Sequence, residues 1–258
     1  MAQRDLFITI EGLPSKEKKT LWKDLDYFKV TKKVEDLHLI PGKHRLLFPR
    51  SILHQSDTLS ELLGDTLLRR DQILSDINSL LKRGWCVVIC LDWLACTYAH
   101  IHYYLNNANP LGKTYPWGDT DASPVSVDVP SLIFNLHNLY CQRLYPDISF
   151  FVDVPPTLSP EYATDEEFTT SSEVIKEEFS YEYNRSIGEI PGLGDDLDFA
   201  LERLYKGYLD FGRLCSPYID KLRTPHHMGK TEWVPIRVSR EKPVLLDQIL
   251  ERIGLEGE

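Results

Sequence analysis

The stretch Leu6-Phe7-Ile8-Thr9-Ile10-Glu11-Gly12-Leu13-Pro14-Ser15-Lys16-Glu17-Lys18-Lys19-Thr20 decides the fold. Its first five residues form an apolar, β-branched run, the pattern of a buried strand. Glu11-Gly12-Leu13-Pro14 interrupts the run as a loop does. Leu21, Trp22, Leu25 and Phe28 then recur at helical spacing. Strand, glycine-containing loop, helix is the order in which loop N–H groups wrap a phosphate. The working pattern is GxxxxGK[ST], in which the lysine neutralises phosphate charge and the hydroxyl holds magnesium. Gly12 fills the first glycine and Lys18 the lysine. Glu17 stands at the second glycine and Lys19 at the hydroxyl position, with Thr20 one step late. The candidate phosphate-binding residues are therefore Gly12, Lys18 and Thr20, in a degenerate loop.

Working outward, strands and helices alternate. Short strands are expected at Leu37–Ile40 and Arg45–Phe48, and helices over Thr58–Leu68 and Asp71–Lys82, the latter closed by Arg83-Gly84. Cys86–Leu91 is a continuous apolar run of strand length, suited to a sheet covered on both faces. Trp93–Leu105 has helical character. Residues 106–130 are rich in Asn, Gly, Pro, Ser and Asp and read as a long loop. Ser131 can cap a helix running to about Tyr145. Ile148–Val154 is a further strand, Asp198–Leu214 a helix, Trp233–Val238 a last strand and Pro243–Ile253 a last helix. The alternation implies an α/β domain spanning residues 1–258, with a mainly parallel sheet and helices on both faces.

The chain has 258 residues and a formal net charge of −10. Pro156–Ala200 contains twelve acids and two bases, so that segment carries the whole excess. A nucleic-acid partner is disfavoured there, whereas a basic or neutral one is not. The five cysteines are an odd number without a Cys-x-x-Cys pair, so buried thiols in a reducing compartment are expected, with no disulfide frame and no metal site. No apolar run of membrane-spanning length occurs, and the first residues enter a strand directly. No membrane span is expected, and the cytoplasm is the expected compartment.

On these residues the chain resembles the thymidylate kinase family. Ile10-Glu11-Gly12 matches the start of its phosphate loop. Leu47-Phe48-Pro49-Arg50 looks like its Arg-Phe-Pro element, whose Phe stacks on thymine, and Leu67-Leu68-Arg69-Arg70 like the helix whose Arg contacts the base. Val87–Cys90 is similar to the strand before its Asp-Arg-Tyr motif. Tyr145-Pro146-Asp147 and Phe151–Pro156 resemble its Pro-Asp-Leu and Leu-Asp-Val-Pro-Pro elements. The resemblance implies a P-loop kinase domain with a five-stranded parallel sheet, a homodimer in the parent family, and nucleoside contacts at Phe48, Arg50, Arg70 and Thr97. It also implies thymidine or dTMP as ligand, and ATP with magnesium if the chain is active.

The chain departs from the family where phosphate is handled. After Cys90 it has Leu91-Asp92-Trp93 in place of Asp-Arg-Tyr, and the arginine is absent in either register. The segment at about 156–198, where the family's lid carries phosphate-clamping arginines, is acidic, with Arg185 as its single arginine. A carboxylate ~4 Å from a bound anion costs roughly 4 kcal/mol at an effective dielectric near 20. The expectation is a catalytically impaired relative, a pseudoenzyme acting as a binding or scaffold protein with a protein-complex partner. The alternative is an active kinase passing phosphate from ATP to dTMP. No residue is assigned a catalytic role.

Overall fold

The computed structural model describes residues 5–41, 73–84, 86–107, 135, 137–139, 144–154, 156, 193–215, 231–237 and 245–255. Five strands form among them: β1 (Leu6–Glu11), β2 (Leu37–Ile40), β3 (Val87–Leu91), β4 (Ile148–Asp153) and β5 (Glu232–Arg237). They make one sheet of order β2-β3-β1-β4-β5, and every adjacent pair is parallel. β1 is central, and its residues from Phe7 to Glu11 are buried on both faces. Pro235, which has no N–H to give to a ladder, lies on the edge strand β5.

Among the described residues the sheet is flanked by helices α1 (Lys16–Thr31), α2 (helical over 73–81), α3 (Leu94–Asn107), α4 (Leu193–Asp210) and α5 (Leu245–Ile253). The strand period of two sorts the side chains into two cores. Ile8, Ile10, Ile89, Phe150 and Val152 face α1 and α5, meeting Leu21, Leu25, Ile249 and Leu250. Phe7, Val88, Cys90 and Phe151 face the other way, toward α2, α3 and α4, meeting Ile77, Trp93, Leu201, Leu204 and Tyr208. On that second face Thr9 and Ser149 donate and accept between their own hydroxyls at 2.9 Å, which satisfies both inside the sheet.

α3 and α4 cross closely. A Cβ on Gly207 would lie 2.9 Å from the Cα of Ala99, so only glycine lets the two backbones meet there. α4 ends in a π-helical turn, Phe211–Cys215, in which Gly212 leaves room for the Trp233 indole. That indole stacks on Phe151 with ring centroids 5.4 Å apart.

The five-stranded parallel sheet with helices on both faces is the architecture read from the sequence. Several boundaries differ. The expected 131–145 helix is present at 135 and 137–139 but does not reach Leu144 and Tyr145. Pro146 disfavours helical backbone at the residue before it. α4 begins at Leu193, five residues before the expected Asp198. α1, announced by the Leu21–Phe28 spacing, runs from Lys16 to Thr31 and is capped by Ser15. The expected elements at Arg45–Phe48 and Thr58–Leu68, the acidic stretch 157–192 and the expected loop 106–130, apart from Asn106 and Asn107, which close α3, lie outside the described residues.

Candidate phosphate-binding site

β1 and β3 run side by side with Ile10 opposite Leu91, so the turns that follow them meet at the carboxyl edge of the sheet. Ligands of open α/β sheets bind at that edge. Gly12 begins the first turn at φ +126°, a backbone state that side chains rarely adopt. A Cβ there would lie 2.7 Å from the Val152 carbonyl oxygen of β4. Ser15 closes the turn in extended conformation, and its Oγ accepts from the Lys18 N–H at 3.1 Å. One of the donors at the start of α1 is thus taken by the chain itself.

Lys18 points inward from the first turn of α1 and is 6% exposed. Its Nζ donates to the Gly12 carbonyl at 2.8 Å and forms an ion pair with the Asp92 carboxylate. Asp92 is the residue just after β3. It sits in the left-handed region at φ 56°, held by its own N–H donating to the Ile10 carbonyl at 3.0 Å. Asp and Asn visit that region more readily than other side chains.

Glu11, the last residue of β1, is 1% exposed. Its carboxylate accepts from the Trp93 N–H at 3.1 and 3.2 Å and from the Cys96 N–H at 3.1 Å. Those N–H groups belong to the start of α3, where the helix carries partial positive charge, so a buried carboxylate is well matched. Glu11 is therefore a cap supplied by a strand.

Behind this layer the groups are neutral. Burial pushes the Cys96 thiol far above its ordinary range, and the Asp92 and Glu11 carboxylates add to the effect. Burial also raises the Tyr208 phenol, with Cys96 and the same carboxylates beside it. A thiol so placed is no nucleophile near neutral pH. His100 Nδ1 lies 2.8 Å from the Cys96 carbonyl, an interaction within α3. Cys86, Cys90 and Cys96 are buried free thiols.

Of the residues proposed from sequence, Gly12 and Lys18 are brought into contact. Thr20 is exposed on α1, away from both. Thr97 is buried on α3, and its hydroxyl donates to the Trp93 carbonyl one turn back at 3.3 Å. Phe48, Arg50 and Arg70 lie outside the described residues. Sequence reasoning did not find Glu11 as a cap or Asp92 as the partner of Lys18. The signal for the second was an acid where the resemblance implies an arginine.

Nucleotide phosphates with magnesium need donors and a hydroxyl here. Lys18 is engaged by Gly12 and Asp92. One oxygen of Glu17 is out of water with no hydrogen-bond partner among the described residues. Lys19 stands at the hydroxyl position and Thr20 faces away. Among the described residues, the lysine at this turn is paired with a carboxylate and the position after it carries no hydroxyl. Among the described residues no group of three His, Cys, Asp or Glu side chains could hold a metal ion, and no helix is long and apolar enough to cross a membrane.

No protein-family model matches the chain, and no curated protein matches it. Among solved structures, a thymidylate kinase from Ehrlichia chaffeensis is similar, with a TM-score of 0.51 and 18% identity over 96% of this chain and 98% of that one. The fold is the P-loop kinase fold of a thymidylate kinase. The turn after β1 and the start of α1 hold Gly12, the Ser15 cap and the inward Lys18. The chain spends that lysine on an internal carboxylate.

Proposed function

We propose that this chain is a thymidylate-kinase-like protein whose phosphate loop is closed by its own side chains, so that it transfers phosphate weakly or not at all and acts as a binding or scaffold protein. The observation that carries the reading is the part-buried Lys18–Asp92 ion pair, with Lys18 also held by the Gly12 carbonyl. Phosphoryl transfer depends on positioning and on neutralising the phosphates, and one missing transition-state donor typically costs about 10²–10³ in rate. A lysine already neutralised by Asp92, together with a carboxylate at Glu17, opposes both requirements. The 258 residues are taken as a single domain, with the acidic segment at about 156–198 as a lid-like element that does not clamp phosphate.

Under this reading the pyrimidine side of the cleft outlasts the ATP side. Thymidine or dTMP should raise the melting temperature more than ATP with magnesium does, because only ligands preferring the folded state stabilise it. Calorimetry should show ATP-magnesium binding no tighter than about millimolar, roughly −4 kcal/mol. A micromolar constant for ATP overturns the reading in favour of a working dTMP kinase.

A further inference from the structure

The anion-attracting features at this edge of the sheet are already occupied by the chain itself. The Lys18 ammonium is held by Asp92, the Trp93 and Cys96 N–H groups by Glu11, and the Lys18 N–H by the Ser15 hydroxyl. Two of these three occupants are carboxylates, the side chains closest in charge to a phosphoryl group.

We propose that Asp92 is a built-in occupant of the phosphoryl position, and that the loop grips a phosphate chain only when this carboxylate is withdrawn. The proposal rests on the reading above and names how that same site is regulated. The two carboxylates differ in how they are held. Glu11 is 1% exposed and fixed by two backbone donors at the start of α3. It is part of the frame. Asp92 is one-fifth exposed at its side chain, and its one side-chain partner shown is the Lys18 ammonium. Its backbone stays in the left-handed region at φ 56°, and the Ile10 carbonyl fixes its N–H. Its carboxylate can therefore leave Lys18 by side-chain rotation, without unfolding the turn. A phosphate chain arriving at Lys18 competes with Asp92 for one ammonium. Anything that draws Asp92 away frees Lys18, still inward-facing and still bonded to Gly12. The ligand class is a polyphosphate, whether inorganic or the tail of a nucleotide.

The test compares the wild-type chain with Asp92→Asn and Asp92→Gly, using inorganic tripolyphosphate in one arm and ATP in the other, at low ionic strength. Asparagine and glycine both accept positive φ, so at least one variant retains the turn. Circular dichroism and a cooperative melt establish that the variants are folded. The expected result is negligible tripolyphosphate binding by the wild type and at least tenfold tighter binding by the variants, lost again when Lys18→Met is added. If ATP gains more than tripolyphosphate, the nucleoside contributes; equal gains assign the site to the phosphate chain alone, and both outcomes support the proposal. Folded variants that bind no better than the wild type overturn it, as does a gain that survives Lys18→Met. Micromolar ATP binding by the wild type is a different failure, because it removes the underlying reading.

Discussion

Replacing Lys18 with methionine tests whether this lysine holds the fold together or waits for a ligand. The side chains of Lys18 and Asp92 are 7% and 20% exposed. Breaking a fully buried pair by removing one partner costs about 3–5 kcal/mol, whereas exposed pairs are worth about 0–1 kcal/mol. A lysine out of water facing a carboxylate with partial solvent access falls between, at about 2 kcal/mol. Methionine keeps the length of the stem, so packing changes little and the loss reports the ammonium. For a chain of this size ~2 kcal/mol lowers the melting temperature by roughly 4–8 °C. Asp92→Asn should cost about 1 kcal/mol, since it leaves the lysine with the Gly12 carbonyl and keeps a side chain tolerant of positive φ. The double variant should lose little more than Lys18→Met alone, giving a coupling energy of about 1 kcal/mol in urea unfolding of all four proteins. A Lys18→Met variant as stable as the wild type, or a coupling near zero, refutes the reasoning, because the pair would then carry no energy in the ligand-free state.

Two further outcomes follow from the same edge of the sheet. Gly12→Ala should cost about 2–4 kcal/mol in denaturant unfolding, because its φ of +126° is unfavourable for a side chain and the new Cβ would lie 2.7 Å from the Val152 oxygen. The contribution of Cys96 and Tyr208 to stability should be constant up to about pH 9 and be lost beyond it, since burial raises both the Cys96 thiol, whose ordinary value is 9.0, and the Tyr208 phenol. A folded-state pKa above the unfolded one means the unfolded chain releases its proton first as pH rises. Each group then contributes a loss of at most ~1.4 kcal/mol per pH unit, and Cys96→Val should flatten the onset in pH-dependent melts.

Much of the fold was legible because its signals are local. The run Leu6–Ile10 broken at Gly12, and the run Val87–Leu91, each carry strand length and burial within a few residues. α1 was readable from Leu21 and Leu25, which do face the core. The start of α4 was misread because Asp195 and Asp196 look like part of the acidic loop, although acids suit a helix N-terminus. The site was only half legible. Gly12 and Lys18 lie six residues apart and follow a spacing rule, so their proximity was readable. The groups that occupy it are distant in sequence. Asp92 is 74 residues from Lys18, and Glu11 is 82 and 85 residues from the N–H groups it caps. Pattern reading showed that the charge after β3 is of the wrong sign for binding phosphate. Only the parallel pairing of β1 with β3 brings that charge to the lysine.

The most direct measurement of the central claim is transfer of labelled γ-phosphate from ATP to dTMP by the purified wild-type chain, with magnesium and both nucleotides at millimolar concentration. Kinases of this kind of chemistry turn over at about 1–100 per second. A loop whose lysine is committed to Asp92 predicts dTDP formation no faster than the enzyme-free control. Turnover at about one per second or faster contradicts it.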